Sequence, residues 1–251
     1  MPNDLTGLRV MVTRPTEQAG PLLEALRSAG AEAWSLPLLE ILPLSLSAPP
    51  DLTGYDLIIF ISPNAVIHGL AALGPLPPGR KLAAVGKGTA REIQARLGRV
   101  PDVFPASRSD SEGLLAEPAL REVAGQHILI VRGKGGRKLL ADTLRQRGAT
   151  VDYAEVYERR RPDIDTDRLE TALHEGSLDV FTITSRAALD NLMSLLSPAL
   201  LNALRRIPVL VIHPRQAVAV RGHGFLPPPI VARDGSDAAI IEALTVWKHS
   251  A

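Results

Sequence analysis

Short apolar runs alternate with amphipathic stretches along most of the chain. The run at 8–13 has the length of a buried strand and stops at Arg14-Pro15. Residues 21–29 carry apolar positions at Leu22, Leu23 and Leu26, the spacing of a helix face, and Gly30 is a natural C-terminal stop. A second strand is expected at 31–36. The next, at 56–61, runs into Ser62-Pro63-Asn64 and a helix. A further strand at 81–85 ends in Gly86-Lys87-Gly88-Thr89, before a helix at 90–97. Ser109-Asp110-Ser111-Glu112 has the form of a capping signal and opens another helix.

This order then recurs. Residues 128–133, ending in Arg132-Gly133, a helix at 138–147 and the segment 148–151 match the start of the chain. Arg132 lies 118 residues after Arg14, and Gly148 lies 118 after Gly30. Residues 179–189 repeat 56–66 at a distance of 123, which puts Ser185 where Ser62 falls. Residues 209–217 match the turn at 85–90 at 127, and Gly235-Ser236-Asp237 matches Asp110-Ser111-Glu112 at 125. Four strand–helix units therefore occur twice. The spacing is too long for a solenoid and suits two duplicated domains.

Alternating strands and helices predict a doubly wound α/β class, with parallel sheets covered on both faces. Ligands of such sheets bind at the C-terminal ends of the strands, where all the matched turns sit. The segments 37–43 and 154–162 are equivalent in the repeat, and each follows a strand and runs into a proline. If both cross between domains, the lobes are 1–37 plus 162–251, and 43–154, with connectors at 38–42 and 155–161. A cut near residue 125 would instead give two tandem domains. Periodicity is compatible with either.

Composition narrows the function. The chain has 251 residues, 45% hydrophobic and 22% charged, enough for a substantial core. A net charge of +1 argues against nucleic acid as a partner. Arginine outnumbers lysine 23 to 5, and its planar fork suits carboxylates. With no cysteine there is no disulfide framework, thiol nucleophile or cysteine metal site. Met1-Pro2-Asn3-Asp4 lacks the features of a signal peptide, and no apolar run reaches about 18 residues. A cytoplasmic protein without a membrane span is expected. The six histidines show no metal-ligand spacing, so no metal site is expected.

Gly86-Lys87-Gly88-Thr89 contains only the start of a dinucleotide fingerprint, and the loop 132–138 is not a phosphate-binding G-x-x-x-x-G-K-[ST]. An exposed loop holding some anion is expected there. Neither Ser62 nor Ser185 lies in G-x-S-x-G. They read as helix N-caps worth about 1 kcal/mol each, in turns whose free N–H groups favour anions. Arg159-Arg160-Arg161 reads as a solvated run.

Several of these stretches together resemble uroporphyrinogen-III synthase: Thr13-Arg14-Pro15, Leu36-Pro37-Leu38, Phe60-Ile61-Ser62-Pro63-Asn64-Ala65-Val66, Val85-Gly86-Lys87-Gly88-Thr89-Ala90 and Ser111-Glu112-Gly113-Leu114-Leu115. Arg132-Gly133 with Gly136-Arg137, and the run 144–157 ending in Val156-Tyr157, complete the set. The likeness spans essentially the whole chain, through motifs that are specific in order rather than singly. One turn departs from it: His213 and Gln216-Ala217 stand where many members have a small residue and Thr-Ala.

The resemblance implies two α/β lobes joined by a two-stranded connector, the first lobe discontinuous as above. It implies closure of the linear tetrapyrrole hydroxymethylbilane to uroporphyrinogen III with inversion of ring D and loss of water, and no metal or organic cofactor. It further implies a monomer, and transient contact with hydroxymethylbilane synthase is expected. By the same motifs Tyr157 is the candidate for assisting departure of the hydroxyl. Arg14, Pro15, Ser62, Asn64, Gly86, Lys87, Thr89, Ser111, Arg132, Gly133, Ser185, Arg186 and Arg215 are candidates for holding the eight carboxylates in an inter-lobe cleft. The competing reading is a two-lobed cytoplasmic ligand-binding protein without catalysis.

Overall fold

The computed structural model describes residues 4–106 and 108–250; the N-terminal start at 1–3 lies outside them. The chain divides into two units, Met1–Glu40 with Arg160–Ala251, and Ile41–Arg159. In chain order it forms β1 (Arg9–Val12), α1 (Thr16–Ser28) and β2 (Glu32–Ser35). Next come β3 (Glu40–Pro43), β4 (Leu57–Phe60), α2 (Pro63–Leu73), β5 (Lys81–Ala84), α3 (Lys87–Leu97) and α4 (Ser111–Ala116). They are followed by β6 (His127–Gly133), α5 (Leu139–Gln146) and β7 (Thr150–Arg160). The return through the first unit adds α6 (Asp167–His174), β8 (Val180–Ile183), α7 (Arg186–Leu195) and α8 (Pro198–Leu204). It ends with β9 (Val209–Val211), α9 (Pro214–Gly222), β10 (Ile230–Val231) and α10 (Asp237–Lys248).

The first unit carries a five-stranded sheet in the order β10-β9-β8-β1-β2, parallel throughout. Counted within the unit this is 2-1-3-4-5 read from the other edge, a doubly wound order whose switch point lies between its first and third strands, here β1 and β8. The second sheet runs β3-β7-β6-β4-β5, with β7, β6, β4 and β5 parallel. There β6 and β4 take the places of β1 and β8, in register from Leu57 with Ile128 to Phe60 with Val131. These two strands stand on either side of residue 125 and pair in one sheet. The segments at 40–43 and 150–160 are neighbouring strands at its edge.

Strand alternation explains the near-continuous apolar runs. Val10 and Val12 point into one core layer with Leu22, Leu26, Ile240 and Leu244, whereas Met11 points into the other with Phe181, Leu189 and Leu192. β8 and β9 divide the same way: Val180 and Leu210 lie on the first face, Phe181, Ile183, Val209 and Val211 on the second. Both faces are thus buried under helices, as parallel sheets require. At the start of β1 and β8, Arg9 is clamped to Asp179 by Nε at 2.9 Å, Nη2 at 2.6 Å and the backbone N–H at 2.8 Å. Arg9's side-chain hydrogen bonds hold the Asp179 carboxyl below its ordinary range.

Several boundaries differ from those expected. α1 starts at Thr16 rather than 21 and keeps Pro21 inside it. Pro21 and Glu17 both lie on the exposed face, so the carbonyl left without its helical N–H is close to water. α3 starts at Lys87, so Lys87, Gly88 and Thr89 form its first turn. Asp110, not Ser109, caps α4, by accepting from the Gly113 N–H. Ser236 caps α10, and so the caps match at 126 rather than 125. Arg132 and Gly133 still belong to β6. α6, α8 and β10, all short, fall in segments the periodicity left unassigned.

Candidate functional site

In the second unit the site residues gather at the C-terminal ends of β4, β6 and β7. The register of β6 on β7 slips here: Arg132 faces Glu155, but Gly133 faces Tyr157. Such a bulge re-aims side chains, and both Val156 and Tyr157 are fully buried in succession. The Tyr157 ring lies against Gly133, where an added Cβ would meet ring carbons at 2.6 Å. The His68 imidazole lies 5.7 Å away between centroids, and the Arg159 guanidinium lies over the ring at 5.6 Å. The Tyr157 hydroxyl is 3.1 Å from Ser62 Oγ and accepts from Arg159 Nη2 at 3.3 Å. Ser62 Oγ also accepts from the Ala65 N–H at 3.0 Å, which caps α2. One serine thus ties a helix start to the buried phenol.

Arg159 was not among the candidates. In sequence it is one of three exposed-looking arginines, and nothing in the spacing marks it as the one that reaches Tyr157. Asn64 follows within the first turn of α2. Gly86 caps α3 without a side chain, and Ser109 fills the place: a Cβ on Gly86 would meet Ser109 Cβ at 2.5 Å. Lys87 is exposed at the start of α3, Thr89 is buried in its first turn, and Ser111 begins α4.

The first unit repeats the arrangement with different chemistry. Ser185 Oγ accepts from the Ala188 N–H at 3.0 Å and caps α7, as Ser62 does α2. Thr13 of the β1 turn donates twice to Thr182 of β8, from its N–H to Oγ1 and from its hydroxyl to the carbonyl. Arg186 is exposed and pairs with Asp190 one turn on. Pro15 stands as N-cap of α1, buried. At the departing turn, His213 Nδ1 accepts from the Arg215 N–H at 3.0 Å and caps α9, which makes the imidazole serve as a small capping residue would. Gln216 Oε1 turns back to accept from the Ile212 N–H, and Arg215 itself projects into solvent.

The two matched arginines are both enclosed, and a buried guanidinium must find acceptors. Arg14 donates to Asp237 Oδ1 at 2.5 Å and to the Gly235 carbonyl at 2.6 Å. Arg132 donates through Nε to the Gly133 carbonyl at 3.1 Å and through Nη1 to that of Arg137 at 3.5 Å. Each therefore braces the loop beside it. Asp237, like Arg159, escaped the sequence reading; its place in a segment matched by repeat was the available signal.

Among the described residues no group of His, Cys, Asp or Glu could hold a metal ion, and no helix is long and apolar enough to cross a membrane. Fold and site define a two-unit doubly wound α/β protein whose strand-end turns offer hydroxyls, glycines and arginines. The enclosed phenol of Tyr157 there is held by a capping serine and an arginine.

The family model described as uroporphyrinogen-III synthase HemD matches residues 20–241. The chain is 34% identical to the uroporphyrinogen-III synthases of Salmonella typhimurium and of Escherichia coli, in each case over 200 residues, 75% of this chain and 80% of the relative. A solved mutant uroporphyrinogen III synthase from the extremely thermophilic bacterium Thermus thermophilus shares the fold at a TM-score of 0.64 and 21% identity, covering 97% of this chain and 98% of that one. The chain belongs to the uroporphyrinogen-III synthase HemD family.

Proposed function

We infer that the protein closes hydroxymethylbilane to uroporphyrinogen III, inverting ring D and releasing one water. The observation that carries this is the family match, which runs through both units. Protonation and departure of the terminal hydroxyl leave a cationic azafulvene. The substituted carbon of ring D attacks it, the spiro intermediate fragments, and ring closure follows. Because the linear substrate closes unaided without inversion, the protein's task is chiefly to hold it so that the disfavoured carbon meets the cation.

Tyr157 is assigned the proton that leaves with the hydroxyl. Its phenol is enclosed here, so in this reading the contact with Ser62 and Arg159 opens as substrate enters. Lys87, Arg186 and Arg215, which are exposed, meet carboxylates directly. The starts of α2, α3 and α7 offer N–H donors through Asn64, Gly86, Thr89 and Ser185, and Ser111 adds a hydroxyl. Arg14, Pro15, Arg132 and Gly133 hold the strand ends in shape. The protein acts in the cytoplasm as a monomer without a cofactor and takes its substrate from hydroxymethylbilane synthase.

A coupled assay tests the reading: porphobilinogen and its deaminase are supplied with the purified protein, and the products are oxidised and separated. Type III porphyrin is expected. Type I alone would mark a binder without catalysis.

A further inference from the structure

Within the second unit a cavity of about 200 Å³ opens where β6 and β7 end, bordered by the loop that follows β6. Arg132, Arg137 and Arg159 line it together with Ser111, and among the described residues no carboxylate side chain does. Tyr153 of β7 lines it too. Its hydroxyl is buried and has no hydrogen-bond partner among the described residues. The Tyr153 ring lies under the Arg132 guanidinium at 4.6 Å and the Arg145 guanidinium at 5.6 Å. A hydroxyl withdrawn from water without an acceptor is unfavourable, a reason to look for an acceptor that arrives with a ligand.

The surroundings specify that acceptor. Arg132 already donates to two backbone carbonyls. Arg137 is largely exposed, its ionic contact being Glu112 at 3.7 Å. Gly136, at φ +90°, leaves room for Arg132 Nη2, which an added Cβ would approach to 2.9 Å. Glu112 has a buried oxygen without a partner as well, but it is not part of the lining. A small cavity rimmed by three guanidiniums, with a buried unpaired hydroxyl and no carboxylate in its lining, fits an anionic group of a few heavy atoms.

We propose that this cavity is a carboxylate subsite: it takes one carboxymethyl or carboxyethyl arm of the ligand, with the Tyr153 O–H donating to a carboxylate oxygen and Arg137 supplying the countercharge. This rests on the reading of the substrate as a polycarboxylate tetrapyrrole, and it gives the glycine- and arginine-rich loop after β6 a role.

The test uses the full chain with Tyr153→Phe and, separately, Arg137→Gln. The probe is uroporphyrin III, the oxidised octacarboxylate, titrated by fluorescence. Each variant is expected to bind about ten-fold more weakly, the effect of one hydrogen bond to a charged group. Tyr153→Phe is expected to unfold at the same temperature or higher, because it removes an unpaired hydroxyl. In turnover, its KM rises about ten-fold with a smaller fall in kcat. Equal affinity of wild type and both variants, or no binding by wild type, overturns the proposal. If wild type forms only the type I isomer, the catalytic reading fails, and the porphyrin titration still decides the cavity by itself.

Discussion

A methyl group added to Gly133 would sit 2.6 Å from carbons of the fully buried Tyr157 ring. Gly133→Ala is therefore expected to destabilise the protein by about 1–3 kcal/mol as the ring shifts, and to slow formation of type III product. Thermal unfolding and initial rates check the two halves. Tyr157→Phe keeps the ring and removes only the hydroxyl that Ser62 and Arg159 hold. It is expected to lower kcat about ten-fold or more with the fold retained; an unchanged rate in the purified variant removes Tyr157 from the mechanism. Tyr157 was legible through the Val156-Tyr157 motif, but its partner Ser62 lies 95 residues away. That contact depends on a slipped register between β6 and β7, which a period-two reading of one strand does not carry. The same limit applies to Arg14 and Arg132, where the residue type suggested free carboxylate holders. Only burial shows that their forks are already engaged.

At the scale of single elements, the matched serines do matched work. Ser185→Ala removes the cap of α7 and is expected to cost about 1 kcal/mol, measured by urea unfolding. Ser62→Ala removes the same cap from α2 and also a neighbour of the Tyr157 hydroxyl, and so its loss should exceed that of Ser185→Ala. The reverse order would show that the phenol contact adds nothing. The clamp of Arg9 on Asp179 makes a pH-dependent prediction. The folded carboxyl titrates below its unfolded value of about 3.9. Its stabilisation is complete above that value and fades as pH falls through the lower folded value. Asp179→Asn should then be about 1–2 kcal/mol less stable at neutral pH, and the two unfolding midpoints should converge in acid. Element types were legible because buried parallel strands give short apolar runs. Helix starts were harder. Glycine and proline punctuate a sequence, so Gly86-Lys87-Gly88 read as a turn, although two of those residues open α3; Pro21 read as a beginning, although it lies inside α1.

Across the whole molecule, a duplicated arrangement of strands carries two differently equipped sets of strand-end turns. Four consecutive strands of each sheet follow one plan, β2-β1-β8-β9 and β7-β6-β4-β5. The repeat made this plan legible at offsets of 118 to 127 residues. It left the division of the chain open, because periodicity does not register that β4 pairs with β6 across residue 125. In the proposed reading the turns hold carboxylates and shape a flexible substrate, and the chemistry belongs mainly to the substrate's own leaving hydroxyl. The most direct measurement is the isomer ratio in one turnover, with synthetic hydroxymethylbilane mixed into excess enzyme in the presence of EDTA and the product oxidised and separated. Uroporphyrin III is predicted to predominate. Uroporphyrin I alone, as from the unaided closure, would contradict the account.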